Sequence, residues 1–360
     1  MKMTIDPSVR MNNANRSAKS ATPKDSRATA IRRQYGMTQI CLQTDGCRKG
    51  MAGSCVFCNY PCGRLPSKDD VPSIMDEALS MVESEDRSIL IGSSGSLLDP
   101  LEVPEDILRK VLECIEGTDC GKVLVETRLD TVDEQSLRLL QECLPGKKIE
   151  IEFGLESSNQ DVLKYCLNKD VDLRTIDKQI ELIHSFGFTT SANVIIGTPL
   201  LGTEEQIRDA ASTIGWAMDH GADSTVLFPV NVRRHTLLES MLHKGIYAPI
   251  NHILVPLALS GLDDRALATV SLSWADPNQI DDDCIIARPS DDGCPGIYEF
   301  YNSFMAADDP ADRRGLISSI LAESAIPIMH SAPKGSLMER AERACDLLGI
   351  RMNEDNLPLP

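Results

Sequence analysis

Hydrophobic and polar positions follow a repeating pattern from Met37 to about Pro249. Short apolar or β-branched runs, such as MTQICL and KVLVETR, each precede a longer amphipathic stretch, such as SIMDEALSMV or EQSLRLLQECL. The short runs are typical of buried strands and the longer stretches are typical of helices. Six such alternations predict an α/β fold with a parallel sheet, because a crossover between parallel strands carries a helix.

The order of the strands in that sheet distinguishes two architectures. Crossovers are right-handed, so consecutive units carry the chain round in one direction and predict a partial (β/α)6 barrel. An open, doubly wound sheet has the same periodicity and is the alternative.

The segments that flank the repeating pattern differ from it. Residues 1–35 are rich in Ser, Ala, Asn and basic side chains and predict a flexible basic arm, whereas 36–250 form the core barrel. Residues 251–360 predict a C-terminal extension packed on the barrel, with helices at GLISSILAES and SLMERAERACDLLG.

The charge balance restricts the partners. The chain carries 54 acidic and 36 basic residues, a net charge of −18. An acidic surface repels a phosphate backbone, which disfavours tRNA and favours a small-molecule substrate. No run reaches the ~18 apolar residues of a membrane span, and we expect a cytoplasmic protein with no membrane segment.

Five of the twelve cysteines are crowded between Cys41 and Cys62. This crowding indicates metal binding in a reducing compartment rather than a disulfide scaffold. Cys47, Cys55 and Cys58, spaced Cys-x7-Cys-x2-Cys, follow the first predicted strand in a glycine-rich loop that can wrap closely around a metal centre. Three thiolates can hold a [4Fe–4S] cluster and leave one iron open to chelate S-adenosylmethionine (SAM).

A zinc site is the alternative for these cysteines, because Cys-x2-Cys is also a common half of a zinc site. Such a site would add Cys41 to the three loop cysteines. Cys41 lies in an apolar strand pattern, however, where a buried and inert thiol is expected.

The cysteine loop resembles the radical SAM superfamily, whose motif has an aromatic residue just before the third cysteine, as Phe57 is here. The first gap is seven residues rather than three, a departure shared with Elp3-like branches. The resemblance implies a [4Fe–4S] cluster and SAM, bound at the carboxyl ends of the barrel strands. It implies SAM contacts at Ser94, Gly95, Ser96, Glu126, Arg128, Glu156, Asn193, Ile195, Ile196 and Gly197. Ordinary turns and buried strands are the alternative interpretation of these segments.

Residues 37–250 also resemble archaeosine-type radical SAM proteins, through GSLLDP, ETR, GLES, LNKD and FPVNVRRHTLLESMLHKGIYAPI. That resemblance implies a lyase acting on a lysine-modified deazaguanine base in tRNA. It places the substrate at Asn231, Arg233, Arg234 and His235, because arginine suits a carboxylate or phosphate. The alternative for the arginines and His235 is that they cap the following helix or face solvent. The C-terminal part has no further Cys-x2-Cys, which is a departure from that family.

The sequence therefore predicts an enzyme that uses a 5′-deoxyadenosyl radical to remove a hydrogen atom from a small biosynthetic intermediate, of the amino-acid or nucleoside type. Rearrangement, epimerisation or bond cleavage would follow. We expect a flavodoxin- or ferredoxin-type reductant, and a hydrogen-donor thiol from Cys62, Cys284 or Cys294, although most spare cysteines are inert. The alternatives are the archaeosine-type lyase and a non-catalytic zinc-binding or tRNA-binding accessory protein.

Overall fold

The computed structural model describes residues 6–20, 29–34, 36–60, 63–83, 86–273, 284–286, 296–324 and 333–350. Its strands are β1 (Thr29–Gln34), β2 (Met37–Leu42), β3 (Ser88–Ser93), β4 (Lys122–Thr127), β5 (Lys148–Glu156), β6 (Thr189–Ile196), β7 (Ser224–Pro229), β8 (Val232–Arg233), β9 (Val270–Leu272) and β10 (Cys284–Ile286). Its α-helices are α1 (Pro7–Lys19), α2 (Arg48–Met51), α3 (Val71–Leu79), α4 (Glu105–Glu116), α5 (Glu134–Cys143), α6 (Ile176–Ser185), α7 (Thr203–Asp219), α8 (Leu237–His243), α9 (Leu254–Leu259), α10 (Asp264–Thr269), α11 (Ile297–Ala306), α12 (Pro310–Glu323) and α13 (Leu337–Leu347).

Eight of the described strands form one sheet. Their order is β1-β2-β3-β4-β5-β6-β7-β9, with β1 antiparallel to β2 and all later neighbours parallel. The strands follow one another without the reversal that defines a doubly wound sheet. The predicted partial (β/α)6 barrel is therefore confirmed, and the doubly wound alternative is wrong.

Helices cover the outer face of this sheet, and apolar side chains fill the space between the two layers. Ile91 of β3 and Val125 of β4 belong to the same buried cluster as Leu112 of α4 and Leu137 of α5, and all four are fully shielded from solvent. Burial of one such side chain contributes about 1.5–3 kcal/mol, so this layer is a main source of stability.

The inner face of the sheet is polar. Glu126 of β4 lies in register with Glu152 of β5, and Asn193 of β6 donates to Glu152 Oε1 at 3.0 Å. The Glu126 carboxylate also fills the space beside Gly92 of β3, where a Cβ would lie 2.6 Å from Oε2. The interior of a (β/α) barrel is normally packed with branched apolar side chains, so these polar groups indicate a ligand site inside this barrel.

The boundaries of the barrel differ from the prediction. Within the predicted flexible arm, Pro7–Lys19 form α1, whose first turn is capped by the Asp6 carboxylate, and Thr29–Gln34 form the edge strand β1. The sheet also extends beyond residue 250, because β9 pairs with β7. The two helices predicted near the C-terminus are confirmed as α12 and α13.

No helix within the described ranges is both long enough and apolar enough to cross a membrane.

Candidate functional site

The three cysteines of the predicted cluster site lie in the loop that leaves the carboxyl end of β2. Cys47 begins α2, and its Sγ accepts the Gly50 N–H at 3.4 Å. Cys58 Sγ accepts the Tyr60 N–H at 3.4 Å. Cys55 has a left-handed backbone with φ of 59°, and its N–H donates to the Asn168 carbonyl at 2.9 Å. All three thiols are free and half-buried, so neighbouring backbone groups fix the loop while the sulfurs stay available.

The charges around the three thiols suit a bound anionic group. Burial raises the pKa of the Cys47 thiol, and raises that of Cys55 to about 11. The Cys58 thiol raises both pKa values further, and the Cys47 thiol also raises the pKa of Cys55. Arg128 Nη1 lies 3.7 Å from Cys47 Sγ, and Lys169 and Lys19 act on Cys55 in the opposite direction to burial. Neighbouring cations favour the thiolate form that metal ligands need.

Three free thiols with Arg128 and Lys19 nearby fit a three-thiolate iron–sulfur cluster. A [4Fe–4S] cluster binds each cysteine at a different iron, so its ligands are spread apart, whereas zinc draws four ligands to about 2.0–2.3 Å of one ion. Among the residues that the structure describes, no three His, Cys, Asp or Glu side chains converge on a single-ion site. The zinc alternative that includes Cys41 therefore receives no support from this geometry.

The small residues after β3 pack directly against the cysteine loop. A Cβ on Gly95 would lie 2.1 Å from Glu102 Oε2 and 3.4 Å from the Cys47 Cα, so only glycine fits. The Ser94 hydroxyl accepts the Thr44 N–H at 2.8 Å. The Ser96 hydroxyl accepts the Arg128 N–H at 2.9 Å. The hydroxyls of Ser94 and Ser96 thus bond to backbone groups at the ends of neighbouring strands. The backbone of Gly95 is the part of this segment that approaches Cys47.

Arg128 is fixed beside Cys47 by two carboxylates that the sequence analysis did not single out. Its Nη2 lies 2.6 Å from Asp99 Oδ2 and its Nη1 lies 2.8 Å from Glu102 Oε1. The Glu102 side chain is only 1% exposed, and it also accepts the N–H groups of Arg48 at 2.8 Å and Ser96 at 2.6 Å. Although burial opposes it, these carboxylates raise the pKa of Arg128, which keeps the guanidinium charged.

Two predicted carboxylates, Glu126 and Glu156, lie at the buried ends of β4 and β5. Glu126 accepts the Tyr60 hydroxyl at 3.3 Å, and burial raises the pKa of its carboxyl group. Glu156, with φ of 68°, pairs with Lys169 at 2.8 Å, while its Oε2 has no hydrogen-bond partner among the described residues. Burial and then Glu126 raise the pKa of Glu152 to about 8. Buried polar atoms are normally paired, so Glu156 Oε2 is available to accept a further hydrogen bond.

The carboxyl end of β6 contains the predicted adenine-contacting segment. Asn193 Oδ1 is buried and has no partner in the described part of the chain. Ile195 and Ile196 are both buried but in different clusters, Ile196 with the outer helices α7 and α9. Gly197 has φ of 101°, and a Cβ there would lie 3.2 Å from Ile250. The segment can therefore offer backbone groups and the Asn193 amide, but not the Ile196 side chain.

The predicted substrate residues follow β7. Asn231 is buried, and its Oδ1 lacks a partner among the residues described. Arg233 is half-buried and close enough to Tyr60 to lower the pKa of that phenol, which Glu126 and burial raise. Arg234 is exposed. The His235 N–H donates to Glu239 Oε2 at 2.7 Å, and the N-cap of α8 is the next residue, Thr236, whose hydroxyl accepts the Glu239 N–H at 3.1 Å. Asn231 and Arg233 therefore approach the interior, Arg234 faces solvent, and the backbone of His235 lies beside the cap of α8.

Of the three predicted hydrogen-donor cysteines, one lies within the described residues. Cys62 and Cys294 lie outside the described residues. Cys284 lies on β10, whose backbone pairs with β8, opposite Arg233. This places the Cys284 backbone beside the predicted substrate segment.

Sequence reasoning missed several groups that surround the cysteine loop. Lys169 belongs to the LNKD segment, so the sequence did contain a signal for it. Asp99 and Glu102 stand in a turn, where acidic residues are usually solvated, so their buried contacts had no sequence signal. Asn15 and Lys19 of α1 contact the loop from a segment with little hydrophobic periodicity, which hid them as well.

A partial parallel barrel that carries a three-cysteine loop at its carboxyl edge is the architecture predicted from the radical SAM resemblance, and both features are present. The resemblance to archaeosine-type proteins is also confirmed by two relatives named archaeosine synthase subunit beta. The relative from Methanosarcina acetivorans is 28% identical over 215 residues, 58% of this chain and 62% of its own length. The relative from Thermococcus kodakarensis is 26% identical over 217 residues, 58% of this chain and 67% of its own length.

The chain thus matches about three fifths of the first of these relatives. No family model matches it. Among solved structures, queuine lyase from Clostridium spiroforme bound to SAM and queuine is 19% identical, with a TM-score of 0.41 over 56% of this chain and 80% of that one. Methylornithine synthase is 12% identical, with a TM-score of 0.49 over 86% and 91%. Because both scores are below 0.5, neither structure bears on the function of this chain.

Proposed function

We propose that the protein is a radical SAM enzyme in which Cys47, Cys55 and Cys58 hold a [4Fe–4S] cluster. The observation that carries the proposal is the loop itself, which holds three free thiols at the carboxyl edge of a parallel barrel, with Arg128 Nη1 3.7 Å from Cys47 Sγ and Lys19 bonded to the Ser54 carbonyl next to Cys55. When bound, the reduced cluster supplies the electron that cleaves SAM, and the resulting carbon radical removes a hydrogen atom from a substrate.

The protein's own residues would bind and orient the reactants. Arg128, fixed by Asp99 and Glu102, holds a positive charge beside Cys47. The unpaired oxygens of Glu156 and Asn193 can accept hydrogen bonds from the amino groups of SAM or of a substrate. Asn231 and Arg233 lie after β7, where a substrate carboxylate or phosphate would find a guanidinium.

The substrate we favour is a small biosynthetic intermediate of the amino-acid or nucleoside type. The polar inner face suits a molecule with several hydrogen-bonding groups, and the net charge of −18 opposes a nucleic acid. Rearrangement, epimerisation or bond cleavage would complete the reaction, with a flavodoxin- or ferredoxin-type protein as the electron source.

Anaerobic reconstitution with iron and sulfide tests the proposal. We expect brown protein with about four irons per chain, and 5′-deoxyadenosine on addition of dithionite and SAM. A Cys47, Cys55 and Cys58 to alanine variant should lose both iron and product. The matched control replaces Cys114, Cys120 and Cys143, which lie in or beside the outer helical layer, with alanine. Colourless wild-type protein with one zinc, or equal product from both triple variants, would contradict the proposal.

The second candidate is an archaeosine-type lyase, and the similarity to two archaeosine synthase beta subunits favours it. Its substrate would be tRNA that carries a lysine-modified deazaguanine base. Incubation of reconstituted enzyme with such a tRNA, followed by mass analysis of its nucleosides, separates the two candidates. Loss of the lysine carbon skeleton from the base supports the lyase, whereas unchanged tRNA with continued SAM cleavage on small amines or nucleosides supports the first candidate. A tRNA mobility shift without SAM turnover would instead indicate an accessory protein.

A further inference from the structure

Helix α1 lies directly across the cysteine loop. Asn15 of this helix is fully buried, and its Nδ2 is 3.0, 3.1 and 3.1 Å from the carbonyl oxygens of Gly53, Ser54 and Cys55. One side-chain amide therefore gathers three consecutive carbonyls of the segment that ends at the second loop cysteine. A buried carbonyl without a partner costs about 1–3 kcal/mol, so this amide strongly favours the observed loop path.

The other end of the same amide fixes a third element. Asn15 Oδ1 accepts the N–H of Leu237 at 3.0 Å, and Leu237 is the first residue of α8. Asn15 consequently connects α1, the cysteine loop and the segment that follows Arg233. The oxygen and the nitrogen of the amide are both used, which only Asn satisfies at this size.

Lys19 approaches the same segment from the last turn of α1. Its Nζ donates to the Ser54 carbonyl at 2.6 Å, and a Cβ on Gly50 would lie 3.4 Å from that Nζ. The ammonium group is therefore held between Gly50 and Ser54, two positions of the loop that lie between Cys47 and Cys55. It is one of the two lysines that lower the pKa of the Cys55 thiol against the effect of burial.

The helix backbone touches the loop as well. Gly53 has φ of 101°, and a Cβ there would lie 2.1 Å from the Asn12 carbonyl oxygen. Asn168 donates to Asn12 Oδ1 at 2.7 Å and to the Gly53 carbonyl at 3.0 Å. This close approach leaves no room for a water layer between α1 and the loop.

We propose that Asn15 and Lys19 are positioning residues for the cluster: Asn15 fixes the backbone that presents Cys55, and Lys19 places a positive charge beside it. The inference rests on the proposed function, because it gives α1 the task of retaining the cluster and tuning its reduction. A cation near the cluster favours its reduced, more negative form.

The charge of Lys19 is tested by the midpoint potential of the reconstituted cluster, followed by electron paramagnetic resonance. For Lys19→Met we expect the reduction equilibrium to shift about tenfold towards the oxidised cluster, which for one electron is about 59 mV. Lys19→Arg should restore the wild-type value. Arg16→Met is the matched control, since Arg16 is an exposed cation on the same helix that pairs with Asn13. Equal potentials for Lys19→Met and Arg16→Met would remove Lys19 from the proposal.

The role of Asn15 is tested by the rate at which an iron chelator removes the cluster. Asn15→Ala should lose it about tenfold faster than wild type, whereas Ser17→Ala, at an exposed position of the same helix, should not. Circular dichroism and the unfolding midpoint establish that each variant is folded. An unchanged rate of cluster loss for folded Asn15→Ala would remove Asn15 from the proposal. If that variant does not fold, the comparison of Lys19→Met with Arg16→Met decides whether α1 acts on the cluster. Wild-type protein that binds no iron would overturn the proposed function and this inference together, while a cluster unaffected in all variants overturns only the inference.

Discussion

Glu102 holds three groups together with one buried carboxylate. It accepts the backbone N–H groups of Arg48 and Ser96 and pairs with the Arg128 guanidinium. The sequence could not predict this, because an acidic residue in a turn is usually solvated and only the packing of Gly95 against Cys47 encloses this one. Glu126, Arg128 and Glu156 were easier to predict, since they end strands at a barrel edge where ligands bind.

Glu102→Gln should therefore destabilise the fold. The amide keeps the shape but leaves Arg128 with one counter-charge fewer, and it turns an N–H donor towards other donors. Breaking a buried pair in this way costs about 3–5 kcal/mol, which we reduce to about 2–4 kcal/mol because the Arg128 side chain is 21% exposed. Urea unfolding measures the change. Glu113→Gln, which breaks an exposed pair with Lys110, is the control and should leave the midpoint unchanged.

His252 gives the protein a specific sensitivity to acid. Burial lowers the pKa of this histidine to about 4, and its Nδ1 lies 2.8 Å from the Tyr301 hydroxyl. In the unfolded chain a histidine has a pKa of about 6.5, so the unfolded state takes up the proton first. The neutral ring therefore contributes fully to the free energy of unfolding above about pH 6.5. As the pH falls towards 4, the free energy of unfolding drops by about 3 kcal/mol in total.

Unfolding free energies of wild type and His252→Gln between pH 7.5 and 4 check this sign. The difference between the two proteins should shrink or reverse as the pH falls, because only the wild type must exclude a proton from the buried ring. Parallel pH profiles would show that His252 does not titrate in this window.

At the scale of elements, hydrophobic periodicity predicted the strands and helices that bury an apolar face. The six strand–helix units contain long apolar faces, such as those of β3 and α4, and these are the elements that the pattern indicated. Helix α1 was missed because polar contacts hold it in place. Asn15 and Lys19 bond to backbone carbonyls, and Met11 is its main buried apolar side chain. Strand β9 has only three residues, which is too short for a pattern.

Helix α12 is fixed to that short strand by one arginine. Arg313 is 7% exposed and donates to the carbonyls of Val270 at 2.9 Å and Ala307 at 2.8 Å, with its guanidinium 4.6 Å from the Phe304 ring centre. Arg313→Met should lower the free energy of unfolding by about 2–4 kcal/mol, because buried carbonyls lose charged donors. The adjacent Arg314→Met removes an exposed pair with Asp264 and one half-buried bond to the Leu262 carbonyl, and should cost about 1 kcal/mol. Denaturant unfolding of the two variants distinguishes them, and equal losses would contradict this role.

At the scale of the whole molecule, the candidate site is assembled from distant parts of the chain. The cysteines follow β2, Arg128 follows β4, Lys169 follows β5 and Asn231 follows β7. A parallel barrel brings these strand ends to one edge, which is why the sequence predicted the proximity of the cysteines, Arg128 and Asn231 from topology alone. The side-chain pairing, such as Lys169 with Glu156, depends on rotamers and bulges that topology does not specify.

Cluster loading should tighten this assembly locally. We expect amides of residues 48–58 and of α1 to exchange hydrogen at least about tenfold more slowly in reconstituted protein than in chelated protein, since binding stabilises what it orders. The amides of α5, on the outer layer, should exchange at the same rate in both. Hydrogen–deuterium exchange with mass spectrometry measures the three regions together. Uniform slowing across the chain would indicate global stabilisation instead.

The contacts of α1 also determine when this helix can dock during synthesis of the chain. Arg10 pairs with Asp346 at 2.6 Å and donates to the Ile350 carbonyl, while Asn15 needs Leu237. A ribosome adds residues in order at about 5–20 per second, so the first helix waits through most of translation for partners made near the end. The bonds of α1 to the cysteine loop join residues close in sequence and can form early in synthesis, whereas its bonds to α8 and to the C-terminal residues can form only after most of the chain has been made. The helix therefore meets the loop before it is anchored to the rest of the molecule.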